Sequence, residues 1–390
     1  MLRHISAALA AVLMSGCLAP TTYEDGIDPA VIDAEQLLQQ QLVVQSVFRE
    51  NQRVQRLAWD FQRATTTTCP MPVRMASGVQ VANRRVIDPA YRAAATALGM
   101  TDTVVVTHVV AGSAAARAGV RDGDRVLQLD TLRVPEGRAG IDSLSTWINP
   151  YESATPWRFL VVRRGPGLRE VAPDDEQALP IRVDTAPPRI DTLPLPPFTP
   201  ICPISAVAVP TSDLNAYTDG REVWVTTGML RFADDDELRV ILGHEFGHAV
   251  EKHIDKQMKN VATGAVLGLL LDIFSRTQGA GDSTFTFTST FANLASNRFS
   301  QEFEHEADYV GMYLMARAGF PVSGAAKIWR KVALENPESI EYATTHPTTA
   351  ARFARIKQAA QEIEAKRAAG LPLEPNRAAR ADSSNANGPP

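Results

Sequence analysis

Three cysteines and seven histidines are few for 390 residues, and neither sign of charge dominates, the formal net charge being −5. So low a cysteine count excludes a scaffold built on disulfides and a cysteine-rich metal module. A nearly balanced, slightly acidic chain lacks the basic stripe that nucleic-acid binding needs, so no nucleic-acid partner is expected. Hydrophobic runs long enough to cross a bilayer are missing too. The closest, Val261 to Phe274, has fourteen positions and contains Gly264, Gly268 and Asp272. What remains is a globular protein long enough for two domains with cores of their own.

With histidine so scarce, its placement is informative. His244-Glu245-Phe246-Gly247-His248 sets two imidazoles four residues apart. On a helix such residues lie one turn apart on one face and can reach a single metal ion. Glu245 projects from the neighbouring flank, where a carboxylate can take a proton from a metal-bound water. The surrounding residues spell a helix. Asp234 with Glu237 makes a capping box, acidic residues crowd the first turn, and Leu238, Ile241, Leu242, Phe246 and Ala249 supply an apolar face. Gly243 and Gly247 cost roughly 1 kcal/mol each against alanine, which makes sense where another backbone or a substrate comes close.

A third ligand is available downstream. Glu304-His305-Glu306-Ala307-Asp308 lies in a second amphipathic run with Phe299, Phe303, Val310 and Leu314 as apolar positions. Glu304 can complete a His-His-Glu shell, leaving a fourth position for water. Asp308, one turn on, can accept the outer N–H of a ligand imidazole and fix its tautomer. His305 points away from the face Glu304 uses. His253 is off the ligand register and reads as a surface residue, and His108 belongs to another region.

These two segments resemble the gluzincin metallopeptidases of the HtpX and CAAX prenyl protease type, metallopeptidase family forty-eight. Asn215-Ala216-Tyr217, the Asp219-Gly220 turn and Val223–Gly228 look like that family's hairpin before the metal helix. Gly311 and Ala318-Gly319-Phe320 look like the end of the Glu304 helix, and His346-Pro347 with Arg352 resembles its late His-Pro…Arg element. The likeness covers about residues 30–65 and 204–365; Gln301 stands where the family usually has arginine. The resemblance implies one zinc ion per chain on His244, His248 and Glu304, with Glu245 as catalytic base and Asp308 behind a ligand. It also makes His346 a candidate for a regulatory or transition-state role near the metal, although a histidine before proline in a Thr-rich turn is as readily a loop residue. The Val223–Thr227 strand is a candidate edge for an extended substrate to join by backbone pairing.

The N-terminus suggests a location. Arg3 and His4 precede an apolar run, Ile5 to Met14, too short to span a bilayer. Met14-Ser15-Gly16-Cys17 resembles a bacterial lipobox, which implies a signal peptide over 1–16, lipidation of Cys17 and a tether over 17–29. Leu18 after Cys17 points to the outer rather than the inner membrane by resemblance to lipoprotein sorting rules. Integral membrane spans, usual in the family named above, are not expected here, which suits a periplasmic lipoprotein branch. Cys69 and Cys202 then remain as an even pair in an oxidising compartment.

Those two cysteines bracket a region of different character. Residues 74–185 have β-branched runs, glycine turns and few histidines. Gly112-Ser113-Ala114-Ala115, Ala118-Gly119-Val120 and Gly123–Leu127 resemble the PDZ domains of envelope proteases. That likeness implies a peptide groove between a strand over Thr103–Val109 and a helix over Asp142–Ile148. A client's C-terminus would be held by the loop at Leu98, Gly99 and Met100. The organisation read from this is a peptidase helix over 30–69, the inserted module with a Pro-rich return over 70–200, a metallopeptidase core over 201–365 and a disordered tail over 366–390. Cys69 and Cys202, on the outgoing and returning stalks, are expected to pair. Residues 275–292, with Gln278–Gly281 and a Thr/Phe alternation, read as a lid over the cleft or an ordinary surface loop.

The fold class expected is α+β, a mostly helical zincin-like core with a small β-hairpin or sheet, plus the β-rich PDZ-like module. The expected activity is hydrolysis of misfolded or misassembled envelope proteins at the periplasmic face of the outer membrane, to which the lipid anchors the chain. The alternative is a lipoprotein chaperone or adaptor that gathers clients in the PDZ-like groove while its metal site stays shut.

Overall fold

The computed structural model describes residues 26–150, 157–165, 168, 187–257, 301–335 and 350–377. The expected signal segment with Cys17, the 275–292 stretch and His346 lie outside the described residues. The architecture is mixed helix and sheet, α+β.

Helix α1 (Pro29–Ala64) begins with Asp28 accepting a hydrogen bond from the Ala30 N–H at 2.9 Å and Pro29 in the first helical turn. Proline's missing N–H costs nothing there. The helix stops at Thr65, whose N–H and hydroxyl both donate to the Phe61 carbonyl. Its two halves serve different partners. Val44 packs with Ala94 and Leu98, while Val54, Leu57, Ala58 and Phe61 enter the main core.

After α1 the chain runs through β1 (Arg74–Ala76) into a β-rich unit. This comprises β2 (Val79–Ala82), α2 (Arg92–Ala97), β3 (Val105–Val109), α3 (Ala114–Arg117), β4 (Arg125–Leu129), β5 (Leu132–Arg133), α4 (Arg138–Trp147), β6 (Phe159–Arg164) and β7 (Arg189–Pro194). The strands pair in the order β2-β3-β4-β6-β7, all antiparallel, with β5 folded back on β4. Val104, just before β3, and alternating strand residues (Val106, Val126, Leu160, Val162) meet Leu144 of α4 and form a core separate from that of the rest of the chain. Strand β3 starts two residues after the expected Thr103, and α4 starts four residues before the expected Asp142.

Three expectations for this unit need correction. Leu98, Gly99 and Met100 do not offer their N–H groups to a peptide terminus. These groups close α2, donating to the carbonyls of Ala94, Thr96 and Ala95 at 3.0, 2.9 and 2.9 Å. Gly99, at φ 93°, is the left-handed residue that ends the helix, and Leu98 and Met100 are buried. Strand β3, expected to border the groove, is flanked by β2 and β4, so the terminal strand of the sheet beside α4 is β2. Finally, the Pro-rich return is not a plain linker: it carries β7 and then β8 (Thr199–Ile201), which pairs with β1. Prolines are tolerated because both strands lie at sheet edges.

Where the chain returns, Cys69 and Cys202 form a disulfide spanning 133 residues, with Cα atoms 5.4 Å apart. Strands β9 (Ser205–Val209), β10 (Ala216–Thr218) and β11 (Glu222–Thr226) follow, and β11 is central, antiparallel to β10 and parallel to β9. The Asp219-Gly220 turn joins β10 to β11: Asp219 Oδ1 accepts from the N–H groups of Arg221 and Glu222 at 2.8 Å each, and Gly220 sits at φ 91°. The strand expected as a substrate edge is therefore enclosed, because β9 adds to its far side. The outer rim of β9 is itself tied to α1, with Gln55 donating to the Ala206 carbonyl and the Ala208 N–H to Asn51. That leaves β10 as the terminal strand on the other side.

Helices α5 (Thr227–Phe232), α6 (Asp235–Val250), α7 (Gln301–Arg317), α8 (Ala326–Glu335) and α9 (Ala350–Ala368) complete the unit. The capping box starts α6: Glu237 N–H donates to Asp234 Oδ1 at 2.8 Å and Asp234 N–H to Glu237 Oε2 at 3.0 Å. Helices α6 and α7 lie backbone to backbone. A Cβ on Gly247 would stand 2.4 Å from the Ala307 carbonyl oxygen, and one on Gly311 2.4 Å from that of Gly243. The tail differs from expectation, since α9 runs to Ala368 and residues 369–377 are tied down. Asn376 N–H donates to Tyr309 Oη at 3.0 Å and its side chain to Glu362 at 2.7 Å. Polar ties of this kind leave no periodic signature in a sequence. Among the described residues no helix is long and apolar enough to cross a membrane.

Two stability measurements follow. Replacing Cys69 and Cys202 together by alanine is expected to lower the unfolding free energy by up to about 5 kcal/mol, the chain-entropy bound for so long a loop. An unchanged denaturant midpoint would contradict this. Gly247→Ala would gain about 1 kcal/mol in an isolated helix. Here it is expected to lose roughly 1–3 kcal/mol through the clash with α7, more than Gly243→Ala, whose added Cβ meets its nearest atom at 3.0 Å. Thermal melting of the two variants side by side checks that order.

Candidate metal centre

Helix α6 buries a polar stretch that water would otherwise claim: His244, Glu245 and His248 are 2%, 1% and 0% exposed. Burying them is costly unless each finds a partner. Apolar neighbours on the same helix (Leu238, Ile241, Leu242, Phe246 and Ala249) pay for the placement by filling the main core. Across the glycine contact, α7 supplies Glu304, also buried.

The three candidate ligands converge. His244 Nε2 and His248 Nε2 are 3.1 Å apart, and they lie 3.5 and 3.4 Å from the two oxygens of Glu304. Ligand atoms about 2.1 Å from a tetrahedral ion stand about 3.4 Å from one another, so these separations suit one small cation. Charge points the same way. In their ionised forms Glu245, Glu304 and Asp308 bring three negative charges to the site and Arg352 one positive, all four side chains being buried. The remainder matches a divalent ion. Two imidazole nitrogens and one carboxylate are a zinc donor set with a position left open.

Behind each imidazole stands a different support. His244 Nδ1 lies 2.8 Å from Asp308 Oδ1, which fixes that ring. Asp308 in turn accepts from Arg352 Nε at 2.7 Å and Nη2 at 2.8 Å, a bidentate pair from α9. Burial alone would raise the Asp308 pKa, but Arg352 and His244 more than offset it and hold the carboxyl at about 2. The guanidinium lies 3.6 Å above the Trp329 ring of α8, and that ring meets His244 edge-on with centroids 5.3 Å apart.

His253 is not on the surface. It is fully buried, its Nδ1 lies 3.0 Å from His248 Nδ1, and its Nε2 lies 2.8 Å from Glu306. The register argument failed because the helix ends first: α6 stops at Val250, and Lys252 at φ 55° turns the chain back toward it. Burial pushes the His253 imidazole below its ordinary range, with Glu306 acting in the opposite direction. The roles of His253, Glu306 and Trp329 carried no signal in the sequence. Arg352 was visible only as one residue of a late motif.

Arg352→Leu would leave Asp308 buried without its cation and is expected to cost about 3–5 kcal/mol of stability. Arg352→Lys is expected to recover only part of that, since a point charge cannot reproduce the two-pronged contact. Denaturant titrations of the two variants against the parent measure both effects.

Comparison with known proteins agrees with this geometry. Residues 197–360 match the model of Peptidase family M48. The mitochondrial metalloendopeptidase OMA1 of Saccharomyces cerevisiae is 27% identical over 171 residues, 40% of this chain and 46% of that protein. The OMA1 metalloendopeptidase of Arabidopsis thaliana is 32% identical over 140 residues, 35% of this chain and 27% of that protein. The Beta-barrel assembly-enhancing protease of Yersinia pestis is 25% identical over 173 residues, 42% of this chain and 35% of that protein. The chain thus spans less than half the length of these curated relatives. The matched segment contains His244, His248, Glu304 and Asp308, and together the family match and the relatives' names support a metalloendopeptidase.

Proposed function

We propose that this chain is a zinc-dependent endopeptidase of the bacterial cell envelope that cuts misfolded or misassembled proteins. The observation that carries the reading is the convergence of His244, His248 and Glu304, with Glu245 beside them on the helix that bears both imidazoles. Bound there, zinc would supply Lewis acidity and bring the ionisation of water near neutral pH.

The chain's own residues do the rest. Glu245 takes the proton of the attacking water and hands it to the leaving amine, a general acid–base contribution of about 10²–10⁴ in rate. Asp308, backed by Arg352, keeps the His244 ring turned with its Nε2 toward the ligand cluster. An extended substrate would join β10, the terminal strand, whose partner β11 is already satisfied on both sides. A gluzincin-type core accounts for these placements.

The rest of the proposal concerns recruitment and place. The β-rich unit between the cysteines is read as a PDZ-like module, its peptide site moved from Leu98-Gly99-Met100 to the edge of β2 beside α4. A lipid on Cys17 would tether the chain to the outer membrane, facing the periplasm. The bacterial relative named for β-barrel assembly fits a role there.

Glu245→Gln is expected to keep zinc and lose about 10²–10⁴ of the rate on a denatured protein such as casein. Parent-like cleavage by that variant would remove the mechanism. A parent protein that binds zinc, with no chelator-sensitive cleavage of any unfolded substrate, would favour the adaptor reading instead.

A further inference from the structure

His248 offers one ring nitrogen to the ligand cluster and the other to His253. Its Nε2 faces His244 Nε2 and Glu304, so that nitrogen must carry the lone pair when a cation is held. A neutral imidazole used this way keeps its proton on Nδ1. The Nδ1–H of His248 therefore donates to His253 Nδ1, 3.0 Å away. His253 then accepts on Nδ1 and must be protonated on Nε2, which lies 2.8 Å from Glu306 Oε2. Each proton in the chain is thereby assigned.

The surroundings hold this arrangement in one geometry. Phe303 stacks on the His253 ring at 4.6 Å between centroids and 15° between planes. Lys256 donates to the same Glu306 oxygen at 3.3 Å. Glu306 is 37% exposed, so the chain of bonds runs from the buried ligand to the protein surface. An apolar side chain would fill the His253 site at less cost, since a fully buried imidazole must recover its lost hydration through both nitrogens. The two ligand imidazoles are thus supported unequally: Asp308 contacts one directly, and Glu306 reaches the other through a second ring.

We propose that His253, oriented by Glu306, is a positioning residue that fixes the tautomer and direction of the metal ligand His248. The inference rests on the metal reading given above. Outer partners of this kind are worth about 10–100-fold in metal affinity.

The test is zinc affinity by chelator competition on the full chain, with thermal melting of the metal-free protein alongside. His253→Phe keeps the ring volume and is expected to weaken zinc binding about 10–100-fold while the metal-free protein still melts cooperatively. His253→Asn places an acceptor oxygen near the former Nδ1 and is expected to restore affinity to within about threefold of the parent. Zinc affinity in His253→Phe equal to the parent, or no rescue by asparagine in a folded protein, overturns the assignment. Long-range ¹H–¹⁵N spectra of the zinc-loaded parent give a readout without any variant: a proton on His253 Nδ1 overturns it, and one on Nε2 supports it. His248→Ala separates this inference from its premise. Loss of zinc in His248→Ala beside full affinity in His253→Phe overturns the relay alone; a parent that binds no zinc overturns the metal centre with it.

Discussion

The close approach of α6 and α7 is the constraint on which the site depends. Helices at ordinary separation would carry Glu304 out of reach of the two imidazoles. Here Gly243, Gly247 and Gly311 remove the side chains that would hold the backbones apart, and an added Cβ would fall within 2.4 Å of a facing carbonyl at two of the three. Glycine is a poor helix former, yet these positions accept it beside each ligand histidine. The loss in local helix stability is offset by burial of Leu238, Ile241, Leu242, Val310 and Leu314 in a shared core.

That approach creates an electrostatic problem. Three carboxylates share a nearly dry space with one guanidinium, and a buried charge without a partner is among the most destabilising features a core can hold. Arg352 answers part of it by gripping Asp308 with two hydrogen bonds and lying flat on Trp329. A divalent cation would answer the remainder. A cation held there would link folding to metal binding, because the residues that order the helices also define the charge to be neutralised.

Remote parts of the chain reinforce the pair of helices. The inner half of α1 lays Leu57, Ala58 and Phe61 into the same core, and Phe61 meets the Phe246 ring at 5.4 Å. The disulfide and the β1–β8 pairing gather the outgoing and returning strands of the β-rich unit at one point. The unit can thus form a separate core without disturbing the peptidase-like one. Its sheet edge at β2 and the edge at β10 are, among the described residues, two of the strand edges that an extended chain could join.

What the sequence by itself determined was whatever local spacing encodes. The capping box at Asp234, two histidines a turn apart, Glu304 and Asp308 a turn apart, and the turn at Asp219-Gly220 all depend on residues within a few positions of one another. Tertiary structure decided what spacing cannot express. His253 returned to the site because the helix ended at Val250 and the chain turned at Lys252. Strand β11 became central because β9, which precedes the β10–β11 hairpin, paired in parallel with its far side. Leu98, Gly99 and Met100 closed a short helix docked on α1 instead of cradling a peptide. Arg352 reached Asp308 from a separate helix. Hydrogen bonds and charges act through space, so partners separated by tens of residues meet only once the packing of apolar faces has chosen which backbones lie side by side.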